Sequence, residues 1–241
     1  MRLPVASAVL GAALAASTLV AAPPAGAASD INIQPRVIEP RIVIKSGACR
    51  QIPVVAHYSS SGAVESLTVE MQVWRGGTNT GSASLHDGES GKNTGTVSGY
   101  HRYCPTEGLG TFHVGPSTID WYDADHNHYT GASNQRRTFV ARQASRFKNV
   151  TISGSGTARS FRARAQYFDV TTRRWTPLRQ GRRVELWRRD SNGTWVYTKS
   201  ARVGKSGAVK VKVKKRARTD YRVTLAHSST TWGGSSRSVR K

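Results

Sequence analysis

From Ala208 to Lys214 the chain reads Ala-Val-Lys-Val-Lys-Val-Lys, and only a half-buried β-strand sorts those residue types cleanly. Successive side chains of a strand point to opposite faces, so Val209, Val211 and Val213 share one side and Lys210, Lys212 and Lys214 the other. A helix would scatter both sets around its axis. Similar short runs of Val, Ile, Thr and aromatics, broken at Gly, Pro, Ser or Asn, recur along the chain. They predict strands at Arg36 to Lys45, Arg50 to Tyr58, Ser66 to Trp74, Thr94 to Tyr103, Phe112 to Tyr122 and Arg137 to Arg142. A second set covers Asn149 to Ser153, Ser160 to Phe168, Arg183 to Arg188, Trp195 to Ala201, Ala208 to Lys214 and Tyr221 to Ala226, with a weak last strand near Val239. Gly76 to Gly95, rich in Gly, Ser, Thr and Asn, reads as a surface loop. Asn192-Gly193 supplies the positive φ values of a hairpin turn at Asp190 to Gly193. No stretch carries a helical period of useful length. Six or seven strands per roughly 100 residues is the density of an immunoglobulin-type sandwich. The fold class is therefore all-β, with two consecutive immunoglobulin-like β-sandwich domains.

Charge divides the chain at the same place. Between Ser29 and Gln143 there are 10 Lys plus Arg and 10 Asp plus Glu, whereas Ala144 to Lys241 holds 25 against 4. The formal net charge of +22 thus belongs almost wholly to the second half. Such a step predicts domains at residues 28–143 and 144–241 with different tasks. Hydrophobic residues make up 37% of the chain, enough for packed cores and too many for wholesale disorder.

Residues 1–27 read as an address. Arg2 gives a positive start, an Ala-rich apolar stretch runs from Val5 to Ala22, and Pro23 and Pro24 precede Ala25, Gly26 and Ala27. This is a signal-peptide pattern with cleavage after Ala27 or Ala28. Nothing beyond it is apolar enough to span a bilayer, so a secreted, extracellular chain is expected. In an oxidising compartment Cys49 and Cys104 are expected to form a disulfide. By chain entropy, that closure stabilises the fold by about 4 kcal/mol.

The residues Arg136-Arg137-Thr138-Phe139-Val140-Ala141-Arg142, Gly181, Val184-Glu185-Leu186, Gly193-Thr194-Trp195, Gly207 and Thr219-Asp220-Tyr221-Arg222 resemble the C-terminal immunoglobulin-like domain of secreted actinobacterial proteins. Ile119-Asp120-Trp121-Tyr122-Asp123-Ala124-Asp125 resembles the end of the N-terminal sandwich of those two-domain proteins. The resemblance covers most of the chain beyond the leader and implies fold and secretion, but its motifs are strand and turn residues that carry over no functional site. Arg102 stands where a tyrosine corner would place Tyr, and Trp74 lies farther from Cys49 than a core Trp of antibody type. These departures argue against an antibody-like inter-sheet bridge and leave a staple elsewhere in the sandwich.

If Ser160 to Phe168 and Ala208 to Lys214 are neighbouring strands, Phe161, Ala163, Ala165 and Tyr167 face inward, and Arg162 and Arg164 join Lys210, Lys212 and Lys214 outside. Lys215, Arg216 and Arg218 would extend that face at one end, and Arg159 at the other. A small domain stays soluble with a net charge of about 2 to 8, and like charges on adjacent strands destabilise a sheet. The excess therefore predicts polyanion binding to a cell-wall polymer, acidic polysaccharide, anionic lipid surface or extracellular DNA, with no sequence specificity toward nucleic acid. On the opposite sheet Val184 and Leu186 point in, turning Trp187 outward, where it would stack on a sugar or base unless the segment holding Trp175 and Pro177 covers it.

Nucleophile elbows, phosphate-binding glycine loops and dinucleotide fingerprints are absent from the sequence. The one concentration of reactive types is Asp120, Asp123, Asp125, His126, Asn127 and His128. Asp123, Asp125 and Asn127 alternate as at the start of a calcium loop, so weak calcium binding is one reading. His128 then replaces the turn glycine and Asn134 the bidentate Glu. His126 and His128 supply a transition metal with one ligand fewer than an ordinary catalytic zinc site. The plainer reading is a polar hairpin tip with Asp and Asn as turn formers. The leading expectation is a secreted, non-enzymatic binding or adhesion protein without cofactor. The alternative is a metal-dependent hydrolase near Asp120 to His128 with His101 or His113 nearby.

Overall fold

The computed structural model describes residues 31–86, 91–154, 157–214 and 219–240. The leader, and Lys215, Arg216 and Arg218, lie outside the described residues. The described chain is built of strands, with short 3-10 turns at Pro105–Glu107 and Lys205–Gly207.

Strands β1 (Ile31–Val37), β2 (Arg41–Ile44), β3 (Arg50–Arg75), β4 (Thr78–His86), β5 (Lys92–Tyr103), β6 (Gly110–Asp123), β7 (His128–Ser133) and β8 (Arg137–Gln143) form one hydrogen-bonded sheet. Its path is β2-β8-β6-β3-β4-β5, with β1 added to β3 and β7 to β6. The 26 residues of β3 serve two sets of neighbours. Its first half pairs with β1 and β5, its second with β4 and β6. The sequence reading divides this strand between Tyr58 and Ser66, but the chain stays extended there, with Ser59 laddered to both β1 and β5, Ser60 to β1, and pairing resumed at Val64.

Three other boundaries differ from the sequence reading. The strand expected over Arg36 to Lys45 is cut at Pro40, which has no N–H to give a ladder. Beyond the cut, β2 leaves the β1 pairing and runs parallel to β8. The described residues of Gly76 to Gly95 are largely paired rather than a surface loop: Gly76 and Gly77 make a tight turn at positive φ, Thr78–His86 returns as β4, and β5 begins at Lys92. The polar composition of this segment hid Ala83 and Leu85, both fully buried. The third, β7, pairs with β6 from Ser117 to Tyr122 and was not anticipated.

The core of this half stacks Phe112 on Phe139 at 4.8 Å, with Tyr103 edge-on to Phe112 at 5.4 Å. Burial pushes the Tyr103 phenol well above its ordinary pKa, and its hydroxyl donates to the Gly108 carbonyl at 2.8 Å. Cys49 and Cys104 are bonded, 55 positions apart, beside the paired residues Arg50 and Tyr103. The disulfide therefore staples the ends of two strands within one sheet.

The basic half folds as two sheets around a separate core. One joins β9 (Ser145–Ser153), β10 (Ala158–Asp169), β11 (Arg174–Pro177) and β14 (Ala208–Lys214). The other joins β12 (Arg183–Arg189), β13 (Trp195–Arg202), β15 (Asp220–Leu225), β16 (Gly234–Ser235) and β17 (Val239–Arg240). Val209, Val211, Phe161, Ala163 and Ala165 from the first meet Val184, Leu186, Tyr221, Val223 and Leu225 from the second. The β12–β13 hairpin closes at Gly193, φ 81°, with Asp190 Oδ1 accepting from the Asn192 and Thr194 amides.

The two halves are joined by more than the peptide at Ala144. Phe168, 5% exposed, sits in the core of the first half with Trp175 edge-on at 5.8 Å, whereas its neighbour Tyr167 is only half buried. Trp232 donates its indole N–H to the Ile42 carbonyl at 2.7 Å and lies between the guanidinium groups of Arg41 and Arg142, 4.0 and 4.5 Å from its ring.

Candidate functional site

Strands β10 and β14 are antiparallel neighbours, with Arg162 opposite Lys210, Ser160 opposite Lys212, Ala158 opposite Lys214 and Arg164 opposite Ala208. Facing residues share a side, so Arg162, Arg164, Lys210, Lys212 and Lys214 stand together, and all five are exposed. Beneath them Phe161, Val209 and Val211 are buried, the parity that the Val-Lys alternation requires. Arg159 does not extend the face. It lies opposite Val213, on the other parity, and its guanidinium donates to the Gly154 carbonyl at 3.0 Å.

The sequence reading missed one member of the group. Strand β9 begins at Ser145 rather than Asn149, which places Lys148 opposite Arg164 and Thr151 opposite Arg162. Asn149, at φ 50°, is part of a bulge that lets residues three apart share a face. The alternation Arg146-Phe147-Lys148 was the available signal. Arg146 donates to Gln166 on the same side at 3.0 Å, and its guanidinium lies 3.8 Å from the Trp175 ring.

The acids of this half are all engaged elsewhere. Asp169 accepts from the Thr171 amide, Asp190 caps its hairpin, Glu185 lies 3.4 Å from Arg183, and Asp220 takes Arg240 by both oxygens at 2.6 and 2.8 Å. The Arg240 guanidinium holds the Asp220 carboxyl below its ordinary range. Among the described residues, then, Lys148, Arg162, Arg164, Lys210, Lys212 and Lys214 have neither ion pair nor side-chain hydrogen bond. Ser160 Oγ, between them, also lacks a partner.

On the outer side of the five-stranded sheet Trp187 is half covered. Its indole donates to Thr224 Oγ1 at 2.9 Å, and Tyr197, 46% exposed, stands edge-on at 5.8 Å. The segment holding Trp175 and Pro177 is strand β11, paired to β10 in the other sheet, and does not provide that cover.

The acidic tip of the first half is a self-contained turn. Asp123 Oδ1 accepts from the amides of Asp125 and Asn127, and Oδ2 from Asn127 Nδ2 and the Tyr129 hydroxyl. These bonds, Asn127's first, hold the Asp123 carboxyl below its ordinary pKa. His128 Nε2 lies 3.0 Å from Asp120 and its ring stacks on Tyr122 at 4.7 Å, while His126 meets Glu65 at 2.8 Å. His113 is seven positions along β6 from Asp120, about 23 Å at strand spacing. His101, 1% exposed, has Nε2 3.2 Å from Glu107 and Nδ1 3.3 Å from the Ser82 carbonyl. The histidines named for a hydrolase thus occupy separate places. Among the described residues no three His, Cys, Asp or Glu side chains gather as metal ligands.

No family model and no curated protein matches the chain. Among solved structures, the D0-D1 domain of intimin is similar at TM-score 0.27 and 11% identity, over 86% of this chain and 96% of that one. The D00-D0 domain of intimin gives 0.28 and 12%, over 87% and 98%. Dimeric latent PorU from Porphyromonas gingivalis gives 0.30 and 10%, over 86% of this chain and 20% of that one. Likenesses this distant assign no function. No helix among the described residues is long and apolar enough to cross a membrane.

Proposed function

We propose that this chain is a secreted, non-catalytic adhesion protein that docks an anionic polymer on the outer face of β9, β10 and β14. The reading rests on one observation: the exposed cations of that face pair with no acid among the described residues, because every acid of the same half is engaged elsewhere. Like charges on facing strand positions cost stability, and an external polyanion offsets that cost while releasing its own counterions. The disulfide and the leader-like first residues support export. The candidate ligands are wall polymer, acidic polysaccharide and extracellular DNA, all met by charge rather than by shape.

Retention of the full chain on wall polymer, heparin and DNA across a salt series tests the proposal. With six cations engaged on DNA-like phosphate spacing, affinity should fall about a thousandfold between ~50 and ~200 mM salt. The variant Arg162→Glu/Arg164→Glu/Lys210→Glu should lose retention while keeping its circular dichroism spectrum. Binding indifferent to salt, or unchanged in the folded variant, overturns the reading.

A further inference from the structure

Where the edge strands β13 and β14 approach each other, the sandwich is open. A cavity of about 280 Å³ there is lined by Arg188, Thr198, Lys199, Lys212, Lys214 and Tyr221 together with the apolar Val213, without a carboxylate. Its origin is a register slip. Leu186 faces Lys199 and Trp187 faces Tyr197, so Thr198 is an extra residue opposite neither. Plain alternation from Tyr197 would send Lys199 outward. The bulge instead gives Lys199 the parity of the inward Leu186 and brings Thr198 to the cavity, the re-aiming that such bulges perform beside binding sites.

Two further features mark this place as a seat. The Thr198 hydroxyl is buried and has no hydrogen-bond partner among the described residues, leaving a donor whose desolvation nothing in the protein offsets. Arg188, Lys199, Lys212 and Lys214 likewise have neither ion pair nor side-chain hydrogen bond among the described residues, although most arginines of the adjoining sheet do. Charge at a sheet edge also deters strand addition. That role has no use for a buried hydroxyl.

We infer that this cleft holds one tetrahedral oxyanion, a phosphate or sulfate ester of the polymer, with the Thr198 hydroxyl and the four cations as its donors. A planar carboxylate offers two oxygens from one side, whereas a tetrahedral ester group presents oxygens in several directions, matching donors drawn from strands of both sheets. The Arg188 fork suits two of those oxygens at once. Lys212 and Lys214 belong to both cleft and open face, so a chain lying along β14 has a fixed point at its edge. This deepens the proposed function and rests on it only for the source of the oxyanion.

The test is a titration of the full chain with inorganic phosphate, then sulfate, then acetate, at constant ionic strength, followed by amide NMR. Phosphate or sulfate should give a saturable shift centred on Thr198, Lys199 and Lys212, and the tighter of the two names the ester. Acetate should bind more weakly. Thr198→Val should weaken the preferred anion about tenfold, the worth of one hydrogen bond to a charged group, and Thr198→Ser should restore it. Lys199→Gln gives a second reading should Thr198→Val fail to fold. Shifts that never saturate, equal affinity for acetate, or an unchanged Thr198→Val overturn the seat. Arg162→Glu/Arg164→Glu/Lys210→Glu leaves the cleft intact, so loss of polymer retention with phosphate still saturating identifies the two sites separately. Saturation by phosphate with no polymer retained by the unaltered chain would fail the proposed function and leave the seat standing.

Discussion

The two outer faces of the basic sandwich carry comparable numbers of cations and treat them in opposite ways. On the five-stranded side Arg183 has Glu185, Arg189 donates to the Gly193 carbonyl, Arg202 to that of Gly181, Arg240 is doubly bonded to Asp220, and Arg222 lies 4.2 Å from the Trp195 ring. On the four-stranded side the lysines and the arginines Arg162 and Arg164 are left bare among the described residues. Net charge alone predicts the same behaviour for both. The distribution of acceptors separates them: among the described residues the cations of the bare side have no partner within the chain, whereas most of those opposite have one.

The comparison breaks most sharply through the core that both faces share. Phe161→Ala should cost about 3 to 5 kcal/mol by leaving a cavity between the sheets, read as a large drop in the urea midpoint. Polymer retention should disappear only when the protein unfolds, because the outward parity of Arg162 depends on that core. Next in size, Cys49→Ser/Cys104→Ser should cost about 2 to 4 kcal/mol of stability, measured by thermal unfolding, with retention at low temperature unchanged.

A smaller effect sets the faces directly against each other. Arg222→Met removes a cation over an aromatic ring and should lower stability by about 1 kcal/mol without altering retention. Lys210→Met should do the reverse, leaving stability equal or higher while lowering the salt slope by about one. Equal effects of the two substitutions on binding would erase the distinction. Smallest is an acid effect at Asp220, whose folded carboxyl is held below its ordinary range. Its stabilisation is present above the unfolded carboxylate pKa and is lost as pH falls through the lower folded value. Asp220→Asn should therefore flatten the stability profile slightly below about pH 4, and its difference from the unaltered chain should vanish once the pH lies below the lowered folded value, where both forms are neutral.

The bare face was largely legible in the sequence because Val209 to Lys214 alternates without interruption and Phe161 to Ala165 follows the same period. Lys148 was not, since the bulge at Asn149 shifts parity in the middle of its strand. The seat at Thr198 was hidden for the same reason: Trp195 to Ala201 reads as regular alternation, and the inserted residue shows only against its partner strand. At the level of fold, sandwich density was readable from strand spacing. The different partners that β1 and β2 take on either side of Pro40, and the continuity of β3, depend on pairings far away in sequence. Asp123 was noticed as a candidate ligand, while its use in tying the turn to Tyr129 required the paired β7.

Strand β10 also has a mechanical consequence. Arg162 and Arg164 project from its middle, and a few residues later the same strand sends Phe168 into the hydrophobic interior of the other half. Tension applied where a surface grips those arginines runs straight along one extended backbone into that interior, with no flexible tether between. On the proposed docking, a pull on those arginines would therefore strain both halves together.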